Sequence, residues 1–295
     1  MSQPKVLIAG AGLGGLCLAQ GLKKAGIDFH VYERDQASDY RLQGYRIRIH
    51  SEGTDALQQC LPDDIYQLFE DTCAEMRLGP GSQADPLTGD ILPPQPQQLG
   101  KGPPPMFRNA RTVDRRVFRD VLLTGLENHV SFGKEFSHYS TNNSDAITIT
   151  FSDRTSAAGT LLIGADGVHS RVRKQFLPSH IPLDTGGRII YGKTPLSADL
   201  TSTFPPEMLK SINPTLTLLG DAAHAMPPTG ASGCVTALRD AGNLVRLLVE
   251  RGVKDGIKIY EEEMREYGSA TIERSLEAAV KMFGFKAREE WKNVE

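Results

Sequence analysis

The sequence predicts an α/β fold that opens on a parallel βαβ unit and carries a small, reduced antiparallel β region, and three observations lead there. Within the first 35 residues a short apolar run, a glycine-rich turn, a helical pattern and a second apolar run follow one another. Alternating runs at 129–132, 136–141 and 146–151 have the period of antiparallel strands. Further buried-type strands stand at 160–165 and 215–220, before a long amphipathic helical stretch that starts near Gly233.

Taken in order, Lys5 to Ala9 is expected as a buried strand, Gly10 to Gly15 as a tight turn, and a helix runs from there to about Ala25. Gly12, Gly15, Leu16, Ala19 and Leu22 fall on one face of that helix, so small residues lie where it meets the sheet. The next strand places Ile27, Phe29 and Val31 inward and ends at Glu33. Between Pro80 and Pro105 periodicity is lost, and Pro93, Pro94, Pro96, Pro103, Pro104 and Pro105 mark a long loop. Helical spacing returns over 113–126 with Val117, Val121, Leu122 and Leu126 as its apolar face. The alternating runs after it include a pair joined by Asn142-Asn143-Ser144-Asp145. A strand is expected at Arg188 to Tyr191. From Gly233 onward, Leu238, Ala241, Leu244, Val245 and Leu248 define a core-facing helix, and the chain from Tyr260 reads as a further charged helix.

Composition removes several classes of function. With 39% hydrophobic and 23% charged residues over 295 positions, the chain has the balance of a folded, water-soluble protein rather than of a disordered one. Its 33 basic and 36 acidic residues give a formal charge of -3, which supplies no basic field for a nucleic-acid backbone. Cys17, Cys60, Cys73 and Cys234 have neither C-x-x-C nor zinc-ligand spacing, so reduced thiols and no metal are expected. The uncharged run from Val6 to Leu22 contains five glycines and reads as strand, turn and helix rather than as a membrane span or signal core, which makes the cytoplasm the expected compartment. There is no G-x-S-x-G elbow, H-E-x-x-H helix or P-loop to support hydrolase, zinc-protease or nucleoside-triphosphatase chemistry.

The strongest chemical signal is Gly10-Ala11-Gly12-Leu13-Gly14-Gly15, a G-x-G-x-x-G turn after a strand and at the start of a helix, with Glu33 eighteen residues beyond the last glycine. Gly10 permits the turn, Gly12 lets a pyrophosphate approach the backbone, Gly15 allows close packing, and the helix N-terminus contributes partial positive charge. Glu33 is placed to accept hydrogen bonds from an adenosine ribose. The turn alone does not separate NAD from FAD.

Two later segments do. Leu162-Ile163-Gly164-Ala165-Asp166-Gly167-Val168-His169-Ser170-Arg171-Val172-Arg173 and Leu219-Gly220-Asp221-Ala222-Ala223-His224-Ala225-Met226-Pro227-Pro228 resemble, in the right order, the second and third fingerprints of the single-component FAD-dependent aromatic hydroxylases, the para-hydroxybenzoate and salicylate hydroxylase class. The resemblance implies a Rossmann-like FAD-binding domain and a cofactor site that includes Gly10, Gly12, Gly14, Gly15, Glu33, Arg34, Gly44, Asp166, Asp221, Gly230 and Gly233. Asp221 would accept from the ribitol hydroxyls, the helix beginning at Gly230 to Gly233 would face the flavin pyrimidine, and Gly44-Tyr45-Arg46 would pass beside the isoalloxazine. Asp166, flanked by Arg171 and Arg173, resembles the aspartate beside the pyridine-nucleotide approach. Arg115 and Arg119 share a helical face from which the family extends a flavin-contacting arginine, and which of them serves stays open. His169 and His224 are expected as scaffold residues.

By the same resemblance the chain is a monooxygenase of small aromatic or polycyclic secondary metabolites that uses FAD, NAD(P)H and molecular oxygen, and the flavin rather than a side chain carries the chemistry. The expected domains are a discontinuous FAD-binding domain of 1–75, 112–180 and 214–270, a reduced substrate domain of 76–111 and 181–213, and a C-terminal helix over 271–295. Two departures from the family stand out. Only 55 positions separate Asp166 from Asp221, fewer than in full members, and Val235 takes a place where many relatives have asparagine. A shortened roof over the flavin leaves open an alternative reading, a non-redox isomerase or cyclase or a non-catalytic binder.

Overall fold

The structure is a computed structural model that describes residues 5–38, 40, 46–75, 83–84, 91–92, 109–142, 146–180, 183–184, 233–283 and 292–293. The strands are β1 (Lys5–Ala9), β2 (Asp28–Tyr32), β3 (Arg46–Ile49), β4 (Ala74–Glu75), β5 (Gln83–Ala84), β6 (Ile91–Leu92), β7 (Arg111–Asp114), β8 (Val130–Ser131), β9 (Phe136–Thr141), β10 (Ile147–Phe151), β11 (Ser156–Gly159), β12 (Leu161–Gly164), β13 (Leu183–Asp184) and β14 (Lys292–Asn293). The helices are α1 (Leu13–Lys24), α2 (Ser51–Cys60), α3 (Asp63–Thr72), α4 (Arg115–Leu123), α5 (Arg171–Phe176) and α6 (Gly233–Phe283).

β1 lies inside a parallel sheet of order β12-β1-β2-β8. It is apolar at every position after Lys5 because both of its faces are covered, as parallel strands require. Val6 and Ile8 join a large core with Leu16, Leu22 and Phe29 on the α1 side, while Leu7 and Ala9 pack with Phe136, Ile149 and Phe151 of the antiparallel β11-β10-β9 sheet. The result is three layers: helices, parallel sheet and antiparallel sheet.

α1 is buried on almost all sides from Gly15 to Leu22, since α2 and α6 cover the face turned away from the sheet. Three thiols meet there, and Cys17 is held well above the ordinary thiol range by its hydrogen bond with Cys60 and by burial, which leaves it unreactive. Gln20, fully buried on α1, donates to the carbonyls of Leu122 at 2.8 Å and Thr124 at 2.9 Å and so closes the end of α4. The start of α4 is capped by Asp114, whose carboxylate accepts from the amides of Arg116 and Val117.

Several expectations need correction. The helix anticipated over 113–126 is divided, because 111–114 pairs as β7 against β3 before the capping Asp114 starts α4. Val117 therefore points outward, 41% exposed, and Phe118 takes the core position. β8 pairs in parallel with β2 rather than joining the antiparallel strands. The C-terminal stretch 271–295 is not a separate helix: 253–283 is one run, and β14 pairs antiparallel with β13. The strands expected at 188–191 and 215–220 lie outside the described residues.

α6 contains one break, at Gly252, where φ is 72° and ψ -179°. The chain folds back there, so 233–251 and 253–283 pack side by side, with Arg246 reaching Glu263 at 3.2 Å and the Tyr267 hydroxyl donating to Asp240.

Candidate functional site

The glycine turn is built by crowding on two sides and space on the third. Gly10 has φ 110° and donates its amide to the Tyr32 carbonyl at 2.8 Å; a Cβ on Gly10 would lie 2.2 Å from the Ala165 oxygen. A Cβ on Gly15 would lie 2.2 Å from the Gly10 oxygen, and one on Gly14 would press on Ala237 of α6. Around Gly12, in contrast, a Cβ would meet nothing within 4 Å. Gly12 is also the N-cap of α1; no side chain caps it and no acidic residue occupies the first turn. Space beside Gly12 among the described residues, and a first turn of α1 with no carboxylate of its own, are what a diphosphate would need.

Glu33 sits at the end of β2 and is buried. One carboxylate oxygen accepts from the Ala11 amide at 2.7 Å and the other from the Asp35 amide at 3.0 Å. These bonds fix the carboxylate against the turn, and each oxygen keeps a lone pair for a ribose hydroxyl. Arg34, the next residue, is exposed. Arg119 approaches from the side of α4: its Nε donates to the Ala11 carbonyl at 3.1 Å and its Nη1 to the Ser38 carbonyl. Of the two arginines on that face it is Arg119 that grips the turn; Arg115 is half-buried one helical turn earlier.

β12 delivers Asp166 to the same place, with its Cα 3.0 Å from a Cβ built on Gly10. Its carboxylate is engaged in the other direction, accepting from the Ser170 hydroxyl and from the amides of Arg171 at 2.7 Å and Val172 at 3.3 Å. Asp166 therefore binds the first amides of α5 and supports its N-cap, Ser170, whose hydroxyl accepts from the Arg173 amide at 2.9 Å. Arg171 binds the Phe136 carbonyl and Glu135, and Arg173 the Val168 carbonyl, so both brace α5.

The structure brings together Gly10, Gly12, Gly14, Gly15, Glu33, Arg119 and the backbone of Asp166. Gly233 opens α6, whose Ala237 touches the turn at Gly14. Gly44, Asp221 and Gly230 lie outside the described residues. The Ser38 carbonyl was not foreseen, because a backbone acceptor in an irregular loop leaves no mark in the sequence.

Comparison with known proteins finds the same cofactor class. A domain family described as an FAD binding domain matches residues 213–275. The dual O-methyltransferase/FAD-dependent monooxygenase CTB3 of Cercospora beticola is 44% identical over 206 residues, 70% of this chain and 23% of that protein. The FAD-dependent monooxygenase dbaB of Emericella nidulans is 34% identical over 231 residues, 76% of this chain and 53% of that protein. The chain is similar to FAD-dependent monooxygenases over most of its length. A solved structure from Photorhabdus luminescens, described as an FAD containing monooxygenase, superposes with a TM-score of 0.72 at 25% identity, covering 96% of this chain and 100% of that one. The chain spans about a quarter of the first relative's length and about half of the second's. Among its described residues no helix is long and apolar enough to cross a membrane.

FAD fits the residues present. The space at Gly12 would admit a diphosphate, and the fixed Glu33 carboxylate would offer acceptors to sugar hydroxyls beside the turn.

Proposed function

We propose that this chain is the FAD-binding part of an NAD(P)H-dependent monooxygenase that hydroxylates or epoxidises a small aromatic or polycyclic metabolite, with molecular oxygen as co-substrate. The observation that carries the reading is the pairing of an unobstructed Gly12 with a Glu33 carboxylate held on the Ala11 amide. The monooxygenase names of the relatives support the reaction class. Gly44, Asp221, Gly230 and Gly233 complete the proposed cofactor site, with 1–75, 112–180 and 214–270 as its domain, 76–111 and 181–213 as the substrate side, and the cytoplasm as the compartment. Nothing in the fold or in these relatives favours the non-redox alternative.

When bound, the flavin supplies electron transfer from the nicotinamide and the activation of oxygen. The chain's own residues bind and orient it. The α1 amides hold the diphosphate, Glu33 accepts from the ribose, and Arg119, through the carbonyls of Ala11 and Ser38, keeps the turn and the 35–38 loop in one register. The α6 N-terminus supports negative charge near it.

Purified protein is expected to be yellow, with an absorption band at about 450 nm, and to consume NADPH or NADH when aerated. Gly12→Ala is the sharpest variant. Gly12 has φ -73° and ψ 175°, which alanine adopts freely, and its Cβ meets nothing. The melting temperature of the FAD-free protein should be unchanged, while the dissociation constant for FAD, read by fluorescence quenching, rises by about tenfold or more, the equivalent of ~1.4 kcal/mol. Wild-type protein that takes up no added FAD overturns the proposal.

A further inference from the structure

Glu33 owes its place to more than the two amides that hold its carboxylate. Among the described residues β8 is two residues long and forms the edge of the parallel sheet, yet the 129–134 segment around it clasps the backbone on both sides of Glu33. The Val31 amide donates to the His129 carbonyl at 2.8 Å and the Glu33 amide to the Ser131 carbonyl at 2.9 Å. In return the Gly133 amide donates to the Asp35 carbonyl at 2.8 Å and the Lys134 amide to the Glu33 carbonyl at 2.7 Å. Phe132 in the same segment stacks beneath the Arg119 guanidinium, whose Cζ is 5.9 Å from the ring centroid. The clasp therefore touches both side chains that grip the glycine turn.

So short a strand needs support from side chains. His30 on β2 reaches the Ser131 hydroxyl with its Nε2 at 2.8 Å, and Phe29 stacks on His129 with centroids 4.7 Å apart. His30 is half-buried, and the charged groups that bear on it are His129 ahead of β8, Lys5 on β1 and Asp28 on β2. Tyr32, with its ring centroid 4.8 Å away, stays neutral because burial raises its hydroxyl above the ordinary tyrosine value. Burial, His129 and Lys5 disfavour the imidazolium and Asp28 alone favours it, so His30 titrates below the ordinary histidine value. The closed clasp thus takes up a proton less readily than an open one. Closure is fully favoured above the ordinary value of 6.5 and weakens as the pH falls from there through the lower value of the closed state.

We propose that His30 and Ser131 are positioning residues of the proposed cofactor site: they fasten the 129–134 segment to β2, keep Glu33 and Arg119 in register with the glycine turn, and let both go in acid. This rests on the reading of Glu33 as a cofactor acceptor and adds a pH-sensitive control of that site. Neither side chain is assigned a contact with the ligand; their influence passes through the backbone bonds of Glu33.

The test compares wild-type protein, His30→Gln and Ser131→Ala at about pH 7.5 and about pH 5.5, on either side of the histidine range. FAD affinity is read by fluorescence quenching. On the same proteins without FAD, hydrogen exchange is followed at the amides of Glu33, Gly133 and Lys134 and corrected for its intrinsic pH dependence. In the wild type the dissociation constant should rise by about threefold or more on acidification, within the roughly tenfold per pH unit that one titrating group can contribute, and exchange at these amides should quicken with it. His30→Gln, which can still bond Ser131 but carries no charge, should bind like the wild type at the higher pH and show neither change. Ser131→Ala should already bind FAD about threefold or more weakly there, from loss of the side-chain bond. A role in packing alone would lower the melting temperature of both variants and leave the acid loss of affinity as it is in the wild type. That same acid loss in His30→Gln, or wild-type amides that exchange no faster at the lower pH, overturns the proposal. The exchange needs no ligand, so wild-type protein that takes up no FAD at the higher pH strikes the cofactor reading, while the amides still decide whether the clasp opens.

Discussion

Asp166 and Glu33 are carboxylates at the ends of the two strands that flank β1 in one sheet, and their partners set them apart. Glu33 binds two amides of the loops around the glycine turn, whereas Asp166 binds the amides that begin α5. Asp166→Ala is accordingly expected to lower stability by about 1–2 kcal/mol, the usual effect of losing a helix cap, in a urea titration. Flavin absorbance per mole of protein should hardly change. The opposite pattern, intact stability with lost flavin, would return Asp166 to the cofactor. The glycine turn was legible in the sequence because its constraint is local: spacing alone demands Gly10, Gly12 and Gly15. The role of Asp166 at the start of α5 was not, since the same Asp-Gly followed by Ser170 and Arg171 is compatible with a surface turn and becomes a helix start only once 171–176 is known to be helical.

At the scale of elements, β1, α1, β2, β9, β10 and the first half of α6 follow their hydrophobic periods closely. The failures have physical causes. Over 111–126, Val113, Val117 and Val121 keep helical spacing, but pairing of β7 with β3 claims 111–114 and rotates the helix that follows, so Phe118 enters the core in place of Val117. α3 could have been read from Pro62-Asp63-Asp64, with proline at the helix entrance and two carboxylates in its first turn. The break in α6 rests on Gly252, whose φ of 72° with ψ near 180° belongs to a region essentially confined to glycine. Gly252→Ala should therefore destabilise the protein by about 1–3 kcal/mol. Its Cβ would meet nothing, so backbone strain is the whole effect, and thermal melting measures it directly. Loss of the fold-back would also separate Tyr267 from Asp240 and Arg246 from Glu263.

For the molecule as a whole, the proposed cofactor site is assembled from segments distant in sequence: residues 10–15, Glu33, Arg119 and the start of α6. An unfolded chain has no such convergence, so FAD binds the folded state alone and must raise its stability by mass action. At a free FAD concentration a hundred times the dissociation constant the gain is about 2.7 kcal/mol, and each further tenfold adds ~1.4. For a chain of 295 residues that shifts the melting temperature by several degrees, because about 1 kcal/mol moves Tm by roughly 2–4 °C at 150–250 residues and by less in longer chains. Tm measured by differential scanning fluorimetry should climb with the logarithm of added FAD in the wild type. Gly12→Ala should start from the same Tm and rise only at about tenfold higher FAD, in parallel with its weaker binding. Adenosine diphosphate, which carries the diphosphate and ribose without the isoalloxazine, should reproduce part of the shift, and that part should vanish in Gly12→Ala. A Tm that ignores both ligands in the wild type would mean that the turn, Glu33 and Arg119 are held together for packing alone.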